Sequence, residues 1–440
     1  MSITREITSR FSTLRLATEG PSTVNIILEK GNEKTTYITY EKTSGSDDDY
    51  NATVLEAALV KEDLSIRITT PTSSSFFRFN PLSILVTITV PFDLDDLLFA
   101  EHKFGQFVLR GINILRSIDL ASKHGSILLE TRITPSESVT IKSQHGSINL
   151  DAIETTRSIH LDSKHGKLAA KFIGDANKLQ VESKHGSIEI QSLSLIQTVF
   201  VENVHGSIVV GSVVGVPESL VVKSTHGKIQ VDQVSETNNV VFETTHGSIR
   251  GGSVAGGTVS FSSAHGSHNV GQISALHAVS LHAKHGSVVV NSVSSASLVV
   301  ETDTGSIDVS SAVVSRDVNL SSRHGGIKGS FSRYVNLRAS TDLGSINATL
   351  FPNEGFSVTL LEASRGSVAS SVTGFTGQFN VSSAQGSVRV SGPDGPLKMG
   401  EKQVSGSIGE DNGQNQSSSF QARSTSGFVD ACFLPGFIEQ

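Results

Sequence analysis

The chain has 440 residues, with 40 Gly, no Trp, one cysteine (Cys432) and a formal charge of −7. A single cysteine excludes an internal disulfide and a cysteine-rich metal site, and the acidic balance leaves no basic surplus to neutralise phosphates, which argues against a nucleic-acid partner. Abundant Gly and Ser with frequent Val and Ile suit many short strands joined by tight turns rather than packed helices.

Taken in chain order, the first twenty residues hold no apolar run of the kind a secretory signal needs. No later stretch reaches the roughly 20 apolar residues that span a bilayer. The expected location is therefore intracellular. Residues 1–97 alternate apolar and polar positions: Val24, Ile26 and Leu28; Leu64, Ile66 and Ile68; Ile84, Val86, Ile88 and Val90, ended by Pro91. Period 2 marks half-buried strands. This predicts a β-rich N-terminal cap that shields the exposed sheet edge of the region after residue 97. Residues 44–49 and 70–81 read as loops.

A repeat then takes over. Its signature is HGS, HGK or a degenerate xGS, and its glycines are Gly105, Gly125, Gly146, Gly166, Gly186, Gly206, Gly227, Gly247, Gly266, Gly286, Gly305, Gly325, Gly344, Gly366, Gly386, Gly406 and Gly427. Successive spacings stay between 19 and 22 residues. Two positions after the Gly, sixteen of the seventeen copies are apolar, and His268 is the exception. Positions five and seven before it are apolar too, as in Val181 with Leu179 and Phe242 with Val240. Each unit reads strand, Gly corner, strand, loop. Strands this short cannot bury an apolar face alone, so turns must stack with parallel pairing. The predicted fold is an all-β, elongated, single-chain β-solenoid of about seventeen rungs. The Gly is expected to take a positive φ at the corner, and the Ser after it to bond the bend. Whether the cross-section has two sheets or three is left open.

The pattern loosens after residue 390. Residues 391–403 and 409–419 read as loops, and residues from Cys432 onward as an apolar end. The expected layout is a cap over 1–97, the solenoid over 98–431 and a C-terminal tail over 432–440.

The strand LSIRI at 64–68, the segment ILVTITVPFDLDDLLF ending at Phe99 and the serial SKHGSI-type units together resemble the "putative adhesin" family catalogued as domain of unknown function 4097. The resemblance spans roughly residues 55–430. It implies a β-solenoid often linked to cell envelopes, with no established catalytic residues to carry over. Unlike the family pattern, this chain places His before the Gly.

Those histidines are the unusual feature: His124, His145, His165, His185, His205, His226, His246, His265 and His285 occupy nine successive units, and His324 resumes after Thr304. Stacked rungs would place neighbouring imidazoles about 5 Å apart. A neutral hydrogen-bonded ladder at the corner is the favoured reading. Metal binding by neighbouring pairs is an alternative, with His185, His205, His226, His265, His268 and His285 as candidates. No Asp, Glu or Cys recurs where it would complete a closed site. Titration along the column is a third possibility.

Other motifs weaken on inspection. Asp303-Thr304-Gly305 matches the aspartic-protease triplet, but no second copy supplies the paired carboxylate. The glycines at 251–252 and 256–257 lack the Lys-Ser/Thr and helix that phosphate binding needs. Lys123, Lys164, Lys184 and Lys284, with Asp162, Glu182, Glu202 and Glu243 two residues earlier, read as an outward charged strip. The expectation is a non-enzymatic, cofactor-free, monomeric scaffold with a protein or glycan partner. The alternatives are a carbohydrate-active β-helix enzyme, centred on His268 to His285, and a metal-binding ladder.

Overall fold

A computed structural model describes residues 2–71, 82–155, 157–353, 356–392, 395–408 and 418–435. The loop expected over 70–81 thus falls almost entirely outside the described residues, as does 409–417. The chain is a β-solenoid of about 14 turns, divided into two compact units, Met1–Val221 and Val222–Gln440.

Within each unit the repeat sets the register. In the first, Ile127 pairs with Ile148, Ile148 with Leu168, and Leu168 with Ile188, all in parallel. In the second, Ile249, His268, Val288 and Ile307 follow one another in the same row. These side chains are fully buried. Because a strand's side chains alternate faces, one-per-turn recurrence stacks identical positions into apolar columns. That burial, summed over every turn, is the main stabilising term.

The expected positive φ is found at Gly105, Gly206, Gly305, Gly366 and Gly427, with φ of 118° to 158°, but at the other corners the glycine is required for a reason other than backbone conformation. Gly105 alone among the first five corners is left-handed, with φ near 118°; Gly146, Gly166, Gly247 and Gly266 are not left-handed. Yet a Cβ on Gly146 would lie 1.9 Å from the carbonyl oxygen of Gly125, and one on Gly266 only 1.8 Å from that of Gly247. Successive corners pack backbone on backbone. Further left-handed residues sit nine positions later, at Asp175, Leu195, Gly215 and Glu236, with φ between 52° and 68°. There the exposed far side of the turn makes its sharp bend.

The ends follow a rule that local pattern does not carry. The strand Thr13–Glu19 lies between Asp63–Thr69 and Leu94–His102, parallel to both. Likewise Thr23–Lys30 lies between Ser83–Val90 and Phe107–Arg110. An early segment therefore completes a turn between two later ones. The outer edge of that stack is covered by antiparallel strands, Val54–Val60 on Asp63–Thr69 and Thr36–Ser44 on Ser83–Val90. Covering an open edge removes a template for aggregation.

The other terminus repeats the device. Strands Ser418–Ser426 and Val429–Leu434 intercalate between the turn at Gly366 and the turn at Gly386. Antiparallel strands Gly395–Glu401 and Gln403–Ile408 then cover the outer edge. Several expectations change here. Gly406 is no corner: it lies in an edge strand opposite Phe379, which accounts for part of the difference between seventeen rungs and about 14 turns. Residues 391–403 are largely strand rather than loop. Cys432 belongs to a stacked turn instead of starting a tail, and 436–440 fall outside the described residues. At the first end, the presumed loop at 44–49 contains the start of a short helix, Asp47–Asn51, capped by the Ser46 hydroxyl accepting from the Asp49 amide at 3.1 Å.

Candidate functional site

The corner is the one place where polar chemistry repeats. Three residues before most of the corner glycines lies a small buried hydroxyl, as at Ser122, Ser163, Ser183, Ser263, Thr302 and Ser322; His102, Asn203, Ala283 and Ala363 are the other buried occupants of the row. The hydroxyl donates to a corner carbonyl: Ser122 to Gly125 at 2.8 Å, Ser263 to Gly266 at 2.7 Å, Ser322 to Gly305 at 2.9 Å. A buried carbonyl left unpaired would be costly, so this inward row closes the turn. The Ser after the Gly adds an exposed ladder in the second unit, where Ser287 and Ser306 each donate a backbone amide to the preceding Ser hydroxyl at 3.2 Å.

With the corner satisfied from inside, the histidine side chains are left outward and exposed. In the first unit Phe104, His124, His145, His165, His185 and His205 form a stack, with centroids 4.7–4.9 Å apart and planes within 7° of parallel. In the second unit His226, His246, His265 and His285 stack at 4.8–4.9 Å. There His285 Nδ1 reaches the Thr304 hydroxyl at 2.9 Å, and Thr304 pairs in register with His324. The spacing is the β-rise itself, so ring faces are covered by neighbours and ring edges face solvent. His165 is held below the ordinary imidazole pKa, first by desolvation, then by the positive charges of His145, His185, Lys164 and Lys184.

Two other histidines belong to the interior. His268 is fully buried, with Nε2 3.1 Å from the Ser263 hydroxyl and its ring edge-on to Phe261. Its Nδ1 has no partner. Burial lowers its pKa to about 4. His102 stands in the inward hydroxyl row, three residues before Gly105, with Nδ1 3.4 Å from the Thr18 hydroxyl; burial lowers its pKa too. His102 was not among the sequence candidates, although its offset from Gly105 was the available signal.

Of the metal candidates, the structure brings His185 and His205 together in one stack, and His226, His265 and His285 into another, while His268 lies in the core. Among the described residues, no group of three or more His, Cys, Asp or Glu side chains is arranged to hold a metal ion. Asp303-Thr304-Gly305 is one more corner, Gly305 packing on the Gly286 carbonyl. Near the region flagged for an enzyme, a polar cleft of about 320 Å³ is lined by His282, Glu301, Asp303, Arg323 and Asp342, with His282 Nδ1 3.3 Å from the Glu301 carboxylate. Both of those side chains are about half exposed, so the cleft lacks the desolvation that tunes catalytic groups. No described helix is long and apolar enough to cross a membrane.

A sequence model of the Toastrack DUF4097 family matches residues 14–250 and 207–428. Among solved structures, the chain is similar to a "putative adhesin" from Bacteroides fragilis NCTC 9343, at 16% identity over 57% of this chain and 97% of that one, with a TM-score of 0.32. It is also similar to a "putative adhesin" from Parabacteroides merdae ATCC 43184, at 10% identity over 71% and 95%, TM-score 0.29. A "Putative lipid binding protein" from Parabacteroides distasonis ATCC 8503 matches at 13% identity over 82% and 96%, TM-score 0.17. No curated protein matches the sequence.

Proposed function

The chain belongs to the Toastrack DUF4097 family, and from that premise we propose that it is a non-enzymatic interaction scaffold that presents repeated side chains on a rigid β-solenoid. One observation carries this reading. Within each unit the exposed corner shows the same group over a run of successive turns, His124 to His205 in the first and His226 to His285 in the second, each 4.7–4.9 Å from the next. Catalysis needs unlike groups converging on one reacting atom; a scaffold needs like groups repeated along a line. The names of the similar structures, adhesins and a lipid binding protein, support the same class. Covered sheet edges at the termini fit a monomer, which light scattering would test.

The experiment compares the full chain with a variant in which the exposed histidines of both stacks are replaced by Ser. Each is immobilised and exposed to extract from the native cell, and the retained species are identified by mass spectrometry. The expected result is a set of species held by the wild type and lost by the variant, whose circular dichroism and melting are unchanged. Turnover of a glycoside or ester panel, abolished by His282→Ala or Glu301→Ala, would replace this reading with the enzyme alternative.

A further inference from the structure

The two stacks are built alike and stand in different electrostatic settings. In the first unit the residues immediately before the histidines are Lys123, Gln144, Lys164, Lys184 and Val204, preceded one turn earlier by Lys103 beside Phe104. In the second unit they are Thr225, Thr245 and Ala264, with cations only from Lys284 and Arg323 onward. The lysine row is locked in register by backbone bonds through the corner: the His124 amide donates to the Lys103 carbonyl at 2.9 Å, that of His145 to Lys123 at 3.0 Å, and that of His185 to Lys164 at 2.8 Å. Lys142 adds a further cation one outward position away, and Lys103, Lys123, Lys142 and Lys164 form no ion pair among the described residues. Facing acids are Asp119 and Asp162, then Glu182 and Glu202 toward the far end. Glu182 is already engaged by the Gln180 amide. On the other flank stand Ser126 and Ser147, then Lys167, which is neutralised by Glu189 at 2.5 Å. Beside His124, His145 and His165 the four lysines Lys103, Lys123, Lys142 and Lys164 thus stand against Asp119 and Asp162, a positive formal balance over these turns.

We propose that this edge of the first unit binds a linear acidic polysaccharide laid along the stacking direction, with its carboxylates on the lysine row and its hydroxyls on the imidazole edges. The proposal rests on the scaffold reading and names its ligand class. The fit is one of period: ring nitrogens recur about every 4.8 Å, the lysine row keeps the same step except at Gln144, where Lys142 stands one outward position away, and an extended chain of linked pyranoses advances by a comparable step. A line of like charges meeting a line of opposite charges gains multivalently, although each exposed contact is weak. Ring edges that alternately donate and accept suit sugar hydroxyls.

The test titrates the full chain with oligogalacturonate, with maltodextrin of equal length as the neutral control and oligothymidylate as the nucleic-acid control. Oligogalacturonate should bind at about pH 5.5 and weaken by roughly tenfold at about pH 8 as the imidazoles lose their protons. Replacing Lys103, Lys123, Lys142 and Lys164 with Ser should lower affinity by at least about tenfold at both pH values, with circular dichroism unchanged. The variant His226→Ser, His246→Ser, His265→Ser in the second unit should bind like wild type. Equal binding of maltodextrin, tighter binding of oligothymidylate, or indifference to the lysine replacements would overturn the inference. Failure to bind oligogalacturonate, in a protein that still loses its retained species when both stacks are stripped, would sink this ligand class and leave the scaffold reading standing. Failure of both would remove both.

Discussion

The corners of the two units carry the same His-Gly pair but satisfy the glycine amide differently. In the first unit Gly125, Gly146 and Gly186 donate to the Ser three residues back in their own turn, at 2.9, 2.9 and 3.1 Å. In the second, Gly247, Gly266 and Gly305 donate to the carbonyls of His265, His285 and His324 in the next turn, at 3.0–3.2 Å, and only near the C-terminal end does Gly386 return to the first scheme, donating to Ser383 at 2.9 Å. The early strands of the first unit accordingly stop at Ser122, Ser143, Ser163 and Ser183, whereas those of the second run on to the His. One motif thus supports two bonding schemes. In the first scheme the inward hydroxyl accepts as well as donates; in the second the backbone ladder takes over half its work.

What the schemes share should give the largest effect. Gly146→Val and Gly266→Val each drive a Cβ into a carbonyl oxygen less than 2 Å away. Neither corner can yield without separating stacked turns, so each should cost more than about 4 kcal/mol in urea denaturation. The two losses should be similar, because backbone packing is common to both units. A Gly266→Val protein that melts like wild type would refute the stacked corner.

The next effect belongs to the second unit alone. His268 occupies a row otherwise filled by Ile249, Val288 and Ile307, and its pKa is lowered to about 4. The unfolded chain, with an imidazole near 6.5, binds a proton first as the pH falls. Stability from the neutral buried ring is full above about pH 6.5 and is lost progressively toward pH 4, by on the order of 3 kcal/mol. His268→Val should remove most of that slope and change little at pH 8. An undiminished slope in the variant would mean that other groups govern the acid limb.

A smaller difference separates the schemes directly. Ser122→Ala strips the Gly125 amide of its partner and leaves the Gly125 carbonyl only the long 3.4 Å contact from the Ser143 hydroxyl. Ser322→Ala leaves only the Gly305 carbonyl short, since the Gly305 amide bonds the His324 carbonyl. The expected costs are about 2 kcal/mol and about 1 kcal/mol respectively, read as midpoint shifts in parallel denaturation curves. Equal shifts would show that the amide's partner is immaterial.

The repeat made the inward rows legible because period 2 and a fixed offset from the Gly act locally: Ile188, Val181 and Leu179 are buried where the alternation placed them. The same offset rule misled at Gly406, where a Ser-Gly-Ser triplet sits in an antiparallel edge strand. Local pattern carries no information about which distant strand becomes the neighbour. Hence Thr13–Glu19 pairing with Asp63–Thr69, fifty residues on, was beyond it. The glycine's purpose was read only in part, for a related reason: positive φ holds at Gly105, Gly206, Gly305, Gly366 and Gly427 and not at the other corners. Positive φ is a property of one residue, but the Gly146 constraint arises from the turn beneath it. The outward direction of His145 and His165 was not legible: alternation puts them on the same face as the buried Ser143 and Ser163 two residues before, and only the bend at the corner turns them out. The contrast between Lys164 and Thr245 likewise gained meaning only once both stood beside a stacked ring column.

The smallest expected effect probes that last contrast. In a His268→Val background, which silences the buried imidazole, His145→Ser, His165→Ser and His185→Ser together should barely move the melting temperature at pH 8. The rings are exposed, and Thr304 already stands in the same row of the second unit without breaking the register. Acidification separates the cases. His165 titrates below its ordinary range through desolvation and the charges of His145, His185, Lys164 and Lys184. The unfolded chain therefore takes up its proton first, and folded stability falls as the pH drops below about 6.5. The triple variant should flatten that fall. The matching replacement of His226, His246 and His265 should flatten it less, because Thr225, Thr245 and Ala264 contribute no charge to the row beside them. Raised salt should shrink the difference, since exposed charges are screened. Thermal melts of the three proteins between pH 8 and pH 5 decide the matter: an equal response from the two stacks would mean that the imidazoles repel one another without help from the lysine row.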